Sequence, residues 1–288
     1  MSVTRNRGVT LIELMIALVI SAILVGGVYS LLITQQRVYV RQDQVVGAQQ
    51  DARAALTILA RDIRMAGMLT DMDGFNINGA TEAITPTNSS AGPDQIRVVY
   101  AAEEVSWVSS VNTANKQVTL SSGGSRFDTG NRQYVAFEGV NHIYQVSGIS
   151  TDTLTLTEIP SDYLADFSAR VYCVKAITYS VSGTTLQRND GSSTQDLAGV
   201  GDQSCIEDLQ FAYQVEGDTS NWYNSPADAG ASNTDIRAVR INILVRTTVE
   251  DTEDQNYQRP ALEDRAGSGT QDGFLRRVYT TVVKLRNV

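Results

Sequence analysis

Hydrophobic and polar positions mark out a long apolar segment near the start of the chain. Residues 9–32 form a run of about 24 residues that contains a single charge, Glu13. As a helix this run would be about 36 Å long, enough to cross a hydrocarbon core of about 30 Å. Arg5 and Arg7 precede it without any acidic residue. The amino terminus is therefore predicted to stay in the cytoplasm, with the rest of the chain outside it.

The apolar pattern changes to a helical repeat over residues 33–67. Apolar side chains recur at spacings of four, three, four and three at Ala52, Leu56, Leu59, Ile63 and Ala66. This spacing puts them on one face of a helix, and Gly67 is a suitable C-terminal stop. We predict one helix over residues 9–67, with 9–32 in the membrane and the second half packed on a globular head. A coiled-coil dimer through the same stripe is the alternative.

From about residue 69 the pattern becomes a series of short β-like runs separated by Gly, Asn, Asp and Ser, as turns require. Residues 240–249 alternate between apolar and polar side chains, which predicts a strand with one face in water. The predicted fold class is therefore α+β, a long N-terminal helix on an antiparallel sheet or on two sheets. Residues 68–288 form a single head, and its long polar loops at 71–93, 217–235 and 250–273 are predicted to make the contacts.

Composition narrows the range of functions. The chain has 288 residues and a net charge of −9, which argues against general nucleic-acid binding. It has one histidine, His142, and two cysteines, too few for a zinc site that needs several such ligands. No phosphate-binding loop and no nucleophile elbow stands in a strand–turn–helix context. We predict no enzyme activity and no cofactor.

The start of the apolar run carries a recognisable motif. It reads Arg7-Gly8-Val9-Thr10-Leu11-Ile12-Glu13 and resembles the cleavage site of type IV prepilins. The resemblance implies that residues 1–8 are a leader, that a prepilin peptidase cuts after Gly8, and that the new amine of Val9 is methylated. Val9 stands where the family usually has Phe, a position that varies. A secretory signal would instead have a shorter run followed by a small-residue cleavage site. An ordinary membrane anchor is the other alternative.

The resemblance assigns assembly to Glu13, and elementary electrostatics agree. A carboxylate at hydrocarbon depth costs about 3 kcal/mol or more, so it is expected to have a role. Cleavage would leave a charged amine on Val9 at a similar depth. Pairing of Glu13 with the amine of a neighbouring subunit would offset part of both desolvation costs and set the axial register of a helix bundle.

Two further segments resemble PilW-like minor pilins of type IV pili. Residues 60–67, Ala-Arg-Asp-Ile-Arg-Met-Ala-Gly, match the end of their helix, and residues 276–287 match their closing strand. The resemblance implies a structural subunit that helps to prime pilus assembly and sits near the tip. Its implied partners are other minor pilins, the major pilin, prepilin peptidase, the inner-membrane assembly platform and a large tip adhesin.

The implied location is the inner membrane, crossed once with the head in the periplasm, and later the extracellular pilus. Two alternatives stay open. One is a minor pseudopilin of the J class from type II secretion, which has the same architecture. The other is a membrane-anchored extracytoplasmic binding domain or adhesin.

The two cysteines suggest a covalent link. Cys173 and Cys205 would both lie in an oxidising compartment, where an even pair predicts a disulfide. The bridge would close about 33 residues and contribute about 3–4 kcal/mol in the chain-entropy model. Two free buried thiols are the alternative.

One loop is rich in oxygen ligands, the atoms that Ca²⁺ prefers. The candidate ligands are Asp71, Asp73, Asn76 and Asn78. The segment departs from the EF-hand pattern because Phe75 occupies a ligand position and Gly74 comes two residues early. A solvated turn is therefore favoured, and no metal site is predicted.

Overall fold

The computed structural model describes residues 9–72, 74–159, 169–201, 204–251 and 254–286. Within them, one long helix, α1 (Leu11–Met65), precedes a series of strands and three short 3-10 helices, Gly124–Arg126, Pro226–Ala229 and Asn233–Asp235. The strands are β1 (Ile84–Thr87), β2 (Gln95–Asn112), β3 (Gln117–Leu120), β4 (Tyr134–Phe137), β5 (Ile143–Ser150), β6 (Thr153–Leu156), β7 (Arg170–Ser182), β8 (Thr185–Asn189), β9 (Thr194–Ala198), β10 (Cys205–Val215), β11 (Asp218–Tyr223), β12 (Ile236–Arg246), β13 (Tyr257–Gln258), β14 (Gln271–Asp272) and β15 (Arg276–Lys284).

Local interactions determine where α1 begins and ends. Thr10 is its N-cap and forms a capping box with Glu13, in which each side chain accepts from the other residue's backbone N–H. At the far end, Gly67 takes a positive φ of 76° and donates its N–H to the carbonyl of Val99 at 2.9 Å. Only a residue without a Cβ adopts this turn without strain. The end of the helix is thereby attached directly to β2.

The strands form two main antiparallel sheets, so the predicted α+β class is confirmed. The larger sheet has the order β1-β2-β3-β6-β5-β4-β7-β8-β9, and β2 also pairs with β7. This extra pairing closes six of its strands into a small barrel. The second sheet has the order β11-β10-β12-β15, and β13 and β14 form a separate pair.

The main core lies between α1 and both sheets. The predicted apolar stripe is its helical side, since Ala52, Leu59 and Ile63 are fully buried against the chain's own strands. The facing aromatic side chains include Tyr179, Phe211 and Tyr213. Because the stripe is buried against strands of the same chain, these residues of α1 offer no apolar face for a coiled-coil dimer.

The barrel has a core of its own. Its interior is filled by apolar side chains that include Val108, Val118, Phe137, Leu154 and Val171. No residue of this cluster belongs to the cluster that packs on α1. The barrel is therefore a separate lobe of the head, formed by the second half of β2, strands β3 to β6 and the first half of β7.

The wet face predicted for residues 240–249 is wrong. In β12 both Asn242 and Leu244 are buried, although they lie on the side that alternation assigned to solvent. The covering segment comes from the predicted contact loop 250–273. Its Glu263 accepts from Arg240 at 2.9 and 2.7 Å and from Asn242 at 2.6 Å. This part of the loop packs on the chain's own sheet.

A buried carboxylate lies beside this covered face. Asp94 is 2% exposed and accepts hydrogen bonds from the N–H groups of Ser89 and Phe211 at 2.8 and 2.9 Å. Burial raises the pKa of Asp94 to about 7, against the lowering effect of these two bonds, and the charges of Asp264 and Asp208 add to the rise. The carboxyl joins the start of β2 to β10.

This carboxyl predicts a pH dependence of stability. The folded pKa of about 7 lies above the ordinary value, so the unfolded state binds fewer protons. The stabilisation is full below about pH 4 and is lost as pH rises towards 7. Urea unfolding of the full chain in detergent should therefore show a stability decrease of a few kcal/mol over this range, at about 1.4 kcal/mol per unit of pKa difference.

The substitution Asp94→Asn should flatten that slope, whereas Asp43→Asn, at an exposed site on α1, should leave it unchanged. Equal slopes in the wild-type and Asp94→Asn chains would contradict the prediction.

Candidate functional site

The first half of α1 has no packing partner within the chain. Every large apolar side chain from Val9 to Leu32 is at least 52% exposed. The helix is long and apolar enough to cross a membrane, by length and composition. Gly8, the residue before the predicted cleavage point, lies outside the described residues. Burial of this surface requires lipid or other protein chains.

Glu13 lies at the start of this exposed surface and has a partner in its own chain. Its Oε2 accepts from the backbone N–H and from the hydroxyl of Thr10, both at 2.9 Å. The capping role of Thr10 was not among the predictions, although a Thr three residues before a Glu at a helix start is the signature of a capping box. Thr10 therefore satisfies one oxygen of the Glu13 carboxylate. Val9, whose amine would be freed by cleavage, directly precedes Thr10 in the sequence.

The second half of α1 is fixed to the head by a buried charge, Asp62. Its side chain is 0% exposed and lies on the helical face that packs on the sheets. Oδ2 accepts from the hydroxyl of Tyr179 in β7 at 2.6 Å and from Nε of Arg188 in β8 at 3.0 Å. Oδ1 accepts from the exposed Arg61 at 3.0 Å. One carboxylate thus connects the helix to two neighbouring strands.

The hydrogen bonds to Asp62 favour its charged form. Burial by itself raises the pKa of Asp62, but the hydrogen bonds from Tyr179 and Arg188 outweigh it, so the pKa lies below the ordinary value. Burial and the adjacent carboxylate raise the pKa of Tyr179, which keeps its hydroxyl a donor. Asp62 is therefore ionised at neutral pH and faces the guanidinium of Arg188.

The sequence contained a signal for this anchor. Asp62 comes three residues after Leu59 and four before Ala66, so it occupies the apolar stripe rather than the polar face. A carboxylate at such a position needs a buried cation or several donors. Its partners, Tyr179 and Arg188, are more than 100 residues away. These two partners of Asp62 could therefore be identified only from the fold.

Two family models match the chain. The family described as Type IV Pilus-assembly protein W matches residues 171–287, which run from β7 through β15. The prokaryotic N-terminal methylation motif matches residues 3–29, which include Glu13 and the predicted cleavage point. The second half of the head is therefore similar to this pilus-assembly family, and the start of α1 is similar to the methylation motif. Five of the six barrel strands, β2 to β6, lie before residue 171 and fall outside both matches, while β7 lies within the first.

The comparison with solved structures gives a weaker likeness. The type IV-like pilin TTHA1219 from Thermus thermophilus shares 15% sequence identity, with a TM-score of 0.39, over 83% of this chain and 96% of that chain. No curated protein matches the sequence.

The chain does not form the predicted disulfide, because its two cysteines lie far apart. Cys173 points into the barrel core, and Cys205 contacts Thr184 just after the end of β7. The strand from Cys173 to Ser182 spans roughly 30 Å, whereas a disulfide needs Cα atoms within about 7 Å. Both are free thiols, and burial raises the pKa of Cys173 to about 11.

Described residues of the candidate calcium loop are engaged in the structure of the loop itself. Asn76 Oδ1 accepts from the N–H of Gly79 at 2.8 Å, and Asn78 takes a left-handed φ of 50°. Asp71 is exposed, and Asp73 lies outside the described residues. Among the residues that the structure describes, no three His, Cys, Asp or Glu side chains are grouped to hold a metal ion.

The anchor predicts a large effect of a conservative change. Asp62→Asn should lower the free energy of unfolding of the full chain in detergent by about 3–5 kcal/mol, because it leaves the Arg188 charge buried without its counter-charge. The double variant Asp62→Leu with Arg188→Leu should recover much of this loss, since no charge is left unpaired. Urea denaturation followed by circular dichroism measures both. A double variant as unstable as the sum of the two single changes would contradict this account.

Proposed function

We propose that this chain is a minor pilin of a type IV pilus that helps to prime assembly and sits near the filament tip. The observation that carries the proposal is the exposed apolar first half of α1, which begins at a prepilin-type motif with Glu13. The PilW-like strands of the head support the same assignment.

In the membrane, lipid covers the exposed half of α1. On assembly, the same surface transfers to a bundle of helices from neighbouring subunits, so its apolar contacts are exchanged rather than lost. Glu13 then binds the methylated amine of Val9 from an adjacent subunit. Thr10 holds the carboxylate in place until that amine arrives, since its hydroxyl and N–H already bond to Oε2.

The helix must pull the head with it when the subunit leaves the membrane. The Asp62 anchor makes this possible because the second half of α1 is tied to β7 and β8. A second attachment, from the hydroxyl of Ser204 to Asp51 at 2.6 Å, lies about three turns earlier on the helix. Helix and head therefore move as one piece into the filament.

The proposed orientation follows from Arg5 and Arg7. The leader faces the cytoplasm, residues 9–32 span the inner membrane, and the head of residues 68–288 lies in the periplasm before it joins the extracellular pilus. The partners are the other minor pilins, the major pilin, prepilin peptidase and the inner-membrane platform, with a large tip adhesin as the outermost. The barrel supports a place near the tip, because a bulky extra lobe is hard to repeat along a tightly packed filament.

The role of Glu13 predicts a separation of assembly from insertion. In a strain that lacks the native protein, Glu13→Ala should reduce surface pili at least about tenfold, because the charged amine of the neighbour loses its counter-charge. The variant should still fractionate with the inner membrane. Asp43→Ala, which removes an exposed acid farther along the same helix, is the matched control. Normal piliation with Glu13→Ala would refute the assembly role, and lost protein secretion with normal pili would favour the J-class pseudopilin.

Processing gives a second test. Mass spectrometry of the protein from cells that contain prepilin peptidase should show loss of residues 1–8 and an N-methylated Val9. The same protein from cells without the peptidase should keep its leader and serve as the control. An intact Met1 in the presence of the peptidase would remove the pilin assignment.

A further inference from the structure

A cleft of about 690 Å³ lies where the end of α1 meets both sheets. Its volume falls within the range of about 300–1,000 Å³ that is usual for ligand sites. Three parts of the chain form its walls: described residues between α1 and β1, the turn between β4 and β5, and the short helix before β12. The cleft is lined by Gly67, Thr70, Asp71, Met72, Gly74, Phe75, Asn76, Thr81, Glu82, Ala83, Asn141, Asn233 and Thr234.

The lining combines two kinds of polar group. Carboxylates and amides come from Asp71, Glu82, Asn76, Asn141 and Asn233, and hydroxyls come from three threonines. Among the described residues that line the cleft, none is a lysine or an arginine. The wall therefore offers many acceptors together with neutral donors, and it carries no positive charge for an anion.

Two of these polar atoms are buried without a hydrogen-bond partner. Thr70 is 6% exposed, and its Oγ1 has no hydrogen-bond partner. Oε2 of Glu82 has no hydrogen-bond partner either. Buried polar atoms in native proteins are nearly always paired, so each exception calls for an explanation. Both residues line this cleft. A ligand that supplies hydroxyl groups would satisfy them.

The cleft also has a firmly held aromatic wall. Phe75 packs edge-to-face against Tyr134 and His142, with ring centroids 6.2 and 5.6 Å away. The backbone carbonyl of Asn76 next to it accepts from the hydroxyl of Tyr134 at 3.3 Å. The loop that carries Phe75 is thereby fixed to the larger sheet. An aromatic ring beside planar polar side chains suits a ligand with one apolar C–H face and a rim of hydroxyls.

From these contacts we infer that the cleft binds a neutral carbohydrate. Sugar hydroxyls can donate to Glu82 and Asp71 and can both donate to and accept from Thr70, while their C–H face packs on Phe75. This inference goes beyond the proposed role in assembly, which uses Glu13, Asp62 and none of the cleft residues. A metal ion fits less well, since no group of three ionisable ligands exists among the described residues.

The test measures binding to the full-length chain in a detergent without a sugar headgroup. Isothermal titration calorimetry is carried out with maltotriose, with N-acetylated chitotriose, and with spermidine and calcium chloride as cationic probes. Maltotriose represents a plain hexose glycan and chitotriose an N-acetylated glycan of the cell-wall type, so the two arms separate the sources of the ligand. At least one saccharide should bind, and neither cation should.

The decisive variant is Thr70→Val, which removes the hydroxyl and keeps the shape. It should weaken saccharide binding about 5–10-fold, the effect of one lost hydrogen bond. Its Tm should be unchanged or higher, because the deleted hydroxyl has no partner in the free protein. Glu82→Gln should also weaken binding. Thr113→Val, in the exposed turn between β2 and β3, is the matched control and should bind as the wild type does.

Three outcomes would overturn the inference: neither saccharide binds, Thr70→Val binds with wild-type affinity, or a cation binds in place of both saccharides. The assay uses unassembled protein, so it is independent of piliation. A chain that forms pili but binds no saccharide would refute only the carbohydrate site. A chain that binds saccharide but forms no pili would refute only the assembly role.

Discussion

The architecture depends on one buried charge at the surface between α1 and the head. A carboxylate without partners would be strongly unfavourable there, yet Asp62 is ionised because Tyr179, Arg188 and Arg61 all donate to it. Apolar contacts along the stripe supply the bulk of the attraction but tolerate small slips along the helix axis. The Asp62 contacts do not, since a displaced helix would leave both a carboxylate and a guanidinium buried and unpaired. The charge therefore specifies the register at which the helix is docked.

A similar principle governs the outer side of the second sheet. Its polar side chains are covered by a loop that brings complementary groups, so charges are buried in pairs. Asp208 is fully buried between Arg259 and Arg265, at 3.3 and 2.7 Å, and Glu263 bonds to Arg240 and Asn242. A segment that is polar in sequence is in this way an integral layer of the fold.

Predictability followed the range of the interactions. Helix α1 and its apolar stripe could be predicted because they depend on neighbours three or four residues apart, and the motif around Glu13 is equally local. The wet face of β12 was mispredicted because alternation records polarity and cannot show that Glu263 returns from a distant loop to cover it. The prediction of a disulfide was wrong for the same reason, since only the pairing of β7 shows how far Cys173 lies from Cys205. The cleft around Thr70 unites three separate parts of the chain and left no periodic signal.

The closed barrel has a consequence for how such heads can diversify. The chain enters it along β2 and leaves along β7 at directly paired positions, Ala101 opposite Val174. Strand partners of this kind lie only about 5 Å apart, so whatever is inserted between them starts and ends at almost the same point. The lobe can therefore grow, shrink or be exchanged with little effect on the packing of α1 against the sheets. An assembly apparatus could keep one common docking part while the exposed lobe changes with the surroundings it meets.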